Sequence, residues 1–260
     1  MENFETIEAL DTSSTNVIMN IIERFRDALN DAVVQAIENQ RDNFATGWPP
    51  RIPPLDPFYI EEYFFESTEL EGFASFEIML NDSYVRGLQQ YKVEKVDIRP
   101  LTMSALIQLS FEKLEMEGIH STRATMFQGI FPVTITGNDV YNMTFNNVYI
   151  SAFVKFGFNN GSLNMQMFVV DFSVGSVITN FSGFGMLTGL FNTLASASFP
   201  AILLLQKVEL NLRIYEEFIP AVNEILNQIT ILDLIAVIYD FLKDEGLRRI
   251  RDAIFGLMCN

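Results

Sequence analysis

The sequence predicts an α+β fold in which a highly curved antiparallel β-sheet wraps a long helix, with further helices toward the C-terminus. Three observations predict it. Apolar residues recur every three or four positions over Thr12–Arg41 and again beyond Ile202. Between about Phe73 and Val174 they alternate with polar residues instead. A chain of 260 residues with a formal charge of −16 also keeps Phe172–Gln206 free of any charged side chain.

In the first segment Val17, Ile18, Ile21, Ile22, Phe25, Leu29, Ala32, Val33, Ala36 and Ile37 trace one face of an amphipathic helix, with Asp11, Thr12 and Ser13 as candidate caps. At about 1.5 Å per residue this helix is roughly 45 Å long, more than a small core spans. An elongated body is expected. Next, in "GWPPRIPPLDPFYI", Pro49, Pro50, Pro53, Pro54 and Pro57 bar both helix and central strand. Trp48, Ile52, Leu55, Phe58 and Ile60 are too apolar for a solvated linker, so an extended segment packed across the body is expected.

Alternation follows. Met103, Ala105, Ile107, Leu109 and Phe111 oppose Thr102, Ser104, Gln108 and Ser110, which should therefore face solvent. Val148, Ile150, Ala152, Val154, Phe156 and Phe158 repeat the pattern. Gly118, Gly137-Asn138-Asp139 and Asn159-Asn160-Gly161 read as turns between strands. Around Phe168, Val170, Phe172 and Val174 both faces are apolar, so the sheet should be covered there. Beyond Ile202 the helical period resumes through Ile229, and Pro220 should kink that helix. Neither long helix can bury its stripe locally, so each must find the apolar face of the sheet. One domain over residues 1–260 is expected, with 232–260 as a C-terminal helical extension.

Composition narrows the function. Hydrophobic residues make up 49% and phenylalanine occurs 24 times, ample for a core. A pI near 4.4 argues against nucleic acid and against docking on anionic lipid. The most apolar window, Leu187–Leu205, contains Thr188, Gly189, Asn192, Thr193, Ser196, Ser198 and Pro200, so stable membrane insertion is not expected. Cys259 is the single cysteine, which excludes an intramolecular disulfide and a Cys-rich metal site. The acidic start, Met1 to Phe4, lacks a signal-peptide core, whereas the sequons at Asn81, Asn142, Asn160 and Asn180 favour a secretory route and glycosylation.

Catalytic motifs are weak. His120, the only histidine, reads as a surface residue after a turn, without a nucleophile elbow in the sequence. Gly183, Gly185 and Gly189 in "GFGMLTG" miss the dinucleotide-binding spacing, and the glycines are better explained by close backbone approach. Glu61-Glu62 and Glu216-Glu217 read as solvated faces. No enzyme, metal or cofactor is expected.

Ile52-Pro-Pro-Leu-Asp-Pro57 resembles a segment of insect takeout and juvenile-hormone-binding proteins. "YVRGLQQYKVEKVDI", Tyr84–Ile98, is similar to a strand entry of that group and of group 7 mite allergens. "FSGFGMLTGLFNTL" and "EEFIPAVNEIL" resemble corresponding parts of the allergen group, in the same order, across about Thr12–Ile231. The resemblance implies a tubular lipid-binding super-roll with an apolar tunnel, in a secreted arthropod protein. An N-terminal disulfide usual in the hormone carriers is absent, as in the group 7 proteins.

The function so implied is non-enzymatic binding and transport of a hydrophobic small molecule: a terpenoid hormone, fatty acid, sterol or carotenoid. The alternative is recognition of lipid surfaces or microbial lipid. The expected tunnel wall comprises Trp48, Leu55, Phe58, Leu109, Phe111, Phe145 and Val154, continued by Phe156, Phe168, Phe172, Leu187, Leu190, Phe191 and Leu194. The last four should share one helical face, so Leu190→Asp should expel ligand where Thr188→Asp does not. His120→Ala should leave binding intact.

Overall fold

In the computed structural model, residues 2–47, 53–70, 74–126 and 131–230 are described. The elements are α1 (Glu2–Asn39), α2 (Arg41–Thr46), β1 (Phe58–Leu70), β2 (Ala74–Arg86), β3 (Lys92–Arg99), β4 (Ser104–Met126), β5 (Val133–Asn159), β6 (Ser162–Phe181), α3 (Thr188–Arg213) and α4 (Ile219–Leu226). Trp48, Cys259 and the expected extension at 232–260 lie outside the described residues. No glycine or proline stops the chain before Thr12, and α1 starts at Glu2. The sheet likewise starts earlier than alternation alone indicates, at Phe58, because Glu61-Glu62 and Phe64-Phe65 break the period of two within β1.

The sheet is antiparallel, in the order β1-β2-β4-β5-β6, and β3 pairs with the first half of β4. With 27 residues, β5 is far longer than an ordinary strand of about 5–6. Such strands must bend. Phe111, Val148 and Val174 are directly paired and point inward, as do Leu114, Phe145 and Val177 one row on. Between the two rows each strand places two consecutive residues outward: Glu112 and Lys113, Asn146 and Asn147, Gly175 and Ser176. Inward parity therefore flips together on three strands, with Asn147 at a φ of 52°. At this crease the main core, around Phe76, Phe181 and Phe191, meets the cluster around Tyr91 and Phe111, with Phe145 and Val174 packed against both.

Two glycines read as turns lie inside strands. Gly118 pairs with Tyr141, and a Cβ there would meet the Ser83 Oγ at 2.7 Å, so glycine marks close approach of β2 to β4. Gly137 pairs with Thr122, and its missing side chain makes room for the Phe184 ring. The third turn, Asn159-Asn160-Gly161, does join β5 to β6, with Asn160 and Gly161 both at positive φ as a tight hairpin requires. Near Phe168 the sheet is not covered on both sides, since Met167 and Val169 remain exposed.

Two of the sequence motifs meet in space. The Asp56 carboxylate accepts hydrogen bonds from the backbone N–H of Gly87 at 3.1 Å and of Gln89 at 2.9 Å. The Leu-Asp-Pro and Val-Arg-Gly-Leu segments thus close one corner. Beside it Arg41 lies 4.3 Å over the Tyr91 ring and donates to the Tyr91 carbonyl, which holds the start of α2 beside the start of β3.

Strand β6 is the edge, and edges leave backbone groups unpaired. Asparagines on the long helix fill them. Asn192 accepts from the Phe181 N–H at 2.7 Å and donates to its carbonyl at 2.9 Å. Asn211 does the same at Val170, and Asn223 at Met165. The helix is therefore stitched along the sheet by side chains that imitate another strand. A π-helical turn at Ile214–Phe218 joins α3 to α4 immediately before Pro220, which has no N–H for a regular bond. Among the described residues one helical stretch, Gly185–Leu226, is long and apolar enough to cross a membrane by length and composition.

Candidate functional site

An apolar cavity of about 260 Å³ lies between the sheet and α3. Its wall is built from Ile60, Tyr63 and Phe65 on β1, Ile78 and Leu80 on β2, Met116 on β4, and Met143 and Phe145 on β5. Helix α3 closes it with Phe199, Ile202, Leu203 and Gln206. The long helix contributes because Phe191, Ala195, Phe199 and Ile202 succeed one another at spacings of three and four, and Gln206 continues the row. Methionine and phenylalanine on facing strands supply a wall that can repack around varied shapes.

Beyond Gln206 the row turns polar. Tyr63, Phe65 and Gln206 also border a wider recess of about 600 Å³, together with Phe64, Glu66, Phe172, Glu209, Leu210 and Arg213. Arg213 donates to Glu209 at 2.8 Å across one helical turn. Burial, then the Glu209 charge, raise the Tyr63 phenol above its ordinary value, and Arg213 pulls it back. The cavity thus has an apolar interior and one wet end, where the uncharged run of the sequence stops.

His120 is a core residue, contrary to the surface position expected. It is 0% exposed on β4, pairs with Asp139 across the sheet, and packs against Phe181 and Phe184. Its Nε2 lies 2.9 Å from the Ser182 carbonyl, which can only accept, so Nε2 carries the proton and Nδ1 accepts from the Thr122 hydroxyl at 2.8 Å. Burial lowers its pKa and holds the ring neutral. Both nitrogens serve the fold, which leaves neither for a substrate.

The residues expected to line a tunnel are dispersed. Phe145 lines the cavity and Phe172 the outer recess. Phe191 and Leu194 pack in the main core. Leu187 and Leu190 turn outward, 36% and 41% exposed, so the four do not share one inward face. A strand-to-helix turn through Gly183 and Gly185, both at positive φ, inserts Phe184 and sets this rotation. Leu109 and Phe111 join the cluster around Tyr91, whereas Val154, Phe156 and Phe168 pack under α4. Leu55 is half-buried, Phe58 is exposed, and Trp48 is outside the described residues. In the expected β4 register Leu109 and Phe111 do face a core, but Ser104 is buried, with its hydroxyl 2.8 Å from that of Thr102.

Most of the observed wall was missed, although its signal is present. Phe199, Ile202, Leu203 and Gln206 fall at i, i+3, i+4 and i+7 inside the uncharged run. Ile78 and Leu80 alternate with Glu77 and Met79.

The model of the family described as "Haemolymph juvenile hormone binding protein (JHBP)" matches residues 11–236. The chain belongs to the JHBP family. Proteins of this family are haemolymph proteins that bind hydrophobic ligands and are not enzymes. The crystal structure of Takeout 1 from Epiphyas postvittana is similar at a TM-score of 0.56 and 13% identity, covering 78% of this chain and 94% of that one. The shared fold is an antiparallel sheet packed on a long C-terminal helix. A lipopolysaccharide binding protein aligns at a TM-score of 0.36 and 10% identity over 75% of this chain and 40% of its own, which carries no argument here. No curated protein matches this JHBP-family chain in sequence.

Proposed function

We propose that this protein binds and carries a hydrophobic small molecule of the terpenoid, fatty acid, sterol or carotenoid type, in extracellular fluid. The observation that carries the reading is the cavity between the sheet and α3, whose lining is apolar except for the Gln206 amide and the Tyr63 hydroxyl. Burial of ligand there contributes about 25 cal/mol per Å² of apolar surface before the cost of ordering. At about 260 Å³ the cavity falls below the usual range of about 300–1,000 Å³, so a long ligand would extend into the adjoining recess beside Tyr63 and Gln206. The polar end of the ligand then meets Gln206 and the Glu209–Arg213 pair, and its chain lies against Met116, Met143 and Phe145.

The test is to secrete the protein from eukaryotic cells, extract it with organic solvent, and record mass and absorption spectra. One equivalent of lipid or pigment, lost in a Met143→Trp variant that fills the cavity, is expected. Clean protein that takes up no apolar probe would overturn the reading.

A second reading, recognition of a lipid surface, draws on one observation. Met186, Leu187 and Leu190 stand exposed together where α3 begins. Binding to neutral vesicles that is lost in Met186→Asp, without any extractable ligand, would favour it.

A further inference from the structure

The four sequons have a structural property in common. Asn30, Asn43, Asn146, Asn192, Asn211 and Asn223 spend their side-chain amides on hydrogen bonds within the fold, and none of the six lies in a sequon. Among the described residues the amides of Asn81, Asn142, Asn160 and Asn180 make no such bond. The fold thus leaves the sequon amides free, as it does those of Asn138, Asn147, Asn159, Asn164 and Asn227, which lie outside sequons.

Three of them also converge. Inward positions on this half of the sheet are Leu80, Tyr141, Thr179 and Phe181, so Asn81, Asn142 and Asn180 face outward. Asn142 and Asn180 are direct partners across β5 and β6. Asn81 is paired with Ile119, and Ile119 with Val140. Exposed apolar residues flank the Asn142–Asn180 row on both sides, Ile119 and Val140 at 44% and 60% before it and Ile178 at 58% beyond it, while Glu117 faces Asn142 within the row and, with Asp82, borders the same shallow groove of about 500 Å³.

We propose that this outer face carries an N-linked oligosaccharide, with Asn142 as the principal acceptor, and that the sugar covers the strip of Ile119, Val140 and Ile178. The inference rests on the extracellular reading, because the donor is a lipid-pyrophosphate-linked oligosaccharide of the secretory route. Asn142 Nδ2 forms a bond to C1 of the first sugar, and the bond from C1 to the pyrophosphate oxygen breaks. The amide loses one proton and the lipid pyrophosphate leaves, with no redox change.

Local chemistry ranks the three sites. Asp82 follows Asn81 in the chain and sets an adjacent carboxylate against the pyrophosphate, whereas the carboxylate facing Asn142, that of Glu117, is paired with Arg86 at 3.0 Å. The sequon hydroxyls of Ser83 and Ser182 serve the fold, the first accepting from the Tyr141 hydroxyl at 2.6 Å and the second donating to the Val140 carbonyl at 2.8 Å. Thr144, in the sequon of Asn142, has no such bond. Asn180 stands opposite Asn142 at one pleat, too close for two branched chains, so a single molecule carries one or the other.

The full chain is expressed in insect cells behind a secretory leader, recovered from the medium, and its glycopeptides are measured by mass spectrometry. Asn142 should be occupied in most molecules, with Asn180 bare on those. Enzymatic removal of the sugar from the folded protein should raise fluorescence of a surface apolar dye at least twofold, and Asn142→Gln/Asn180→Gln should reproduce that rise. Secreted protein with bare Asn142, with both sites filled on one molecule, or with unchanged dye binding overturns the proposal and leaves ligand carriage untouched. A chain that never reaches the medium overturns the extracellular reading with it.

Discussion

Replacing Asn192 with leucine removes one of the side chains that stitch the long helix to the sheet while keeping the same number and branching of heavy atoms. Asn192 Oδ1 accepts from the Phe181 N–H at 2.7 Å, and Nδ2 donates to the Phe181 carbonyl at 2.9 Å. Phe181 is fully buried between Tyr141, Phe191 and His120, so water does not readily reach its backbone. Leaving a buried donor and a buried acceptor unpaired costs about 1–3 kcal/mol each. Leucine returns roughly 0.5 kcal/mol through its better helix propensity. A net destabilisation of about 1.5–5.5 kcal/mol follows. In urea, with a slope of about 3 kcal/mol/M, the unfolding midpoint should fall by about 0.5–2 M. Thr193→Leu, next along the helix with an exposed side chain that bonds only its own helix, should shift it by less than about 0.2 M. Equal midpoints for Asn192→Leu and the wild type would refute the idea that these amides hold the edge strand.

Other outcomes follow from the same geometry. Ile202→Asp places a charge in the wall of the cavity at a cost of several kcal/mol and should abolish ligand retention or folding, whereas Leu190→Asp, on the outer side, should do neither; a fluorescent apolar probe reads both. Gln206→Leu should weaken binding of a long-chain alcohol several-fold relative to the matching alkane, and equal losses for the two in calorimetry would remove Gln206 from the ligand's polar end. The His120 pKa is lowered in the folded state by burial, so its contribution is complete above the unfolded value of about 6.5 and is lost as pH falls from there through the folded value. His120→Gln should flatten the stability slope between pH 7 and 5.5; an unchanged slope in denaturant titrations would place the effect on the carboxylates.

Periodicity was enough to find both long helices, most of the alternating strands and the antiparallel class, because a period of 3.6 or 2 is set by which residues can share one face. The uncharged run Phe172–Gln206 covers the second half of β6, the turn and most of α3, with Met186, Leu190, Leu204 and Leu205 left exposed, and Pro220 marked the place where the helix changes its winding. The motifs around Asp56 and Gly87 marked a corner, although only the folded chain brings the carboxylate to the backbone N–H groups.

Which side of an element faces which wall was decided by the tertiary structure. The crease leaves in each strand only a pair of consecutive polar or small residues, Glu112-Lys113, Asn146-Asn147 and Gly175-Ser176, and the pairing of the three strands is what turns those breaks into one flip of inward parity. Gly118 and Gly137 look like turns in sequence, and only the approach of Ser83 and Phe184 explains them. The rotation of α3 is likewise fixed by the turn at Gly183–Gly185 and by the asparagine stitches, which carry Leu187 and Leu190 outward and bring Phe199, Ile202 and Gln206 to the cavity. Local spacing defines faces; the long-range bonds along β6 choose among them.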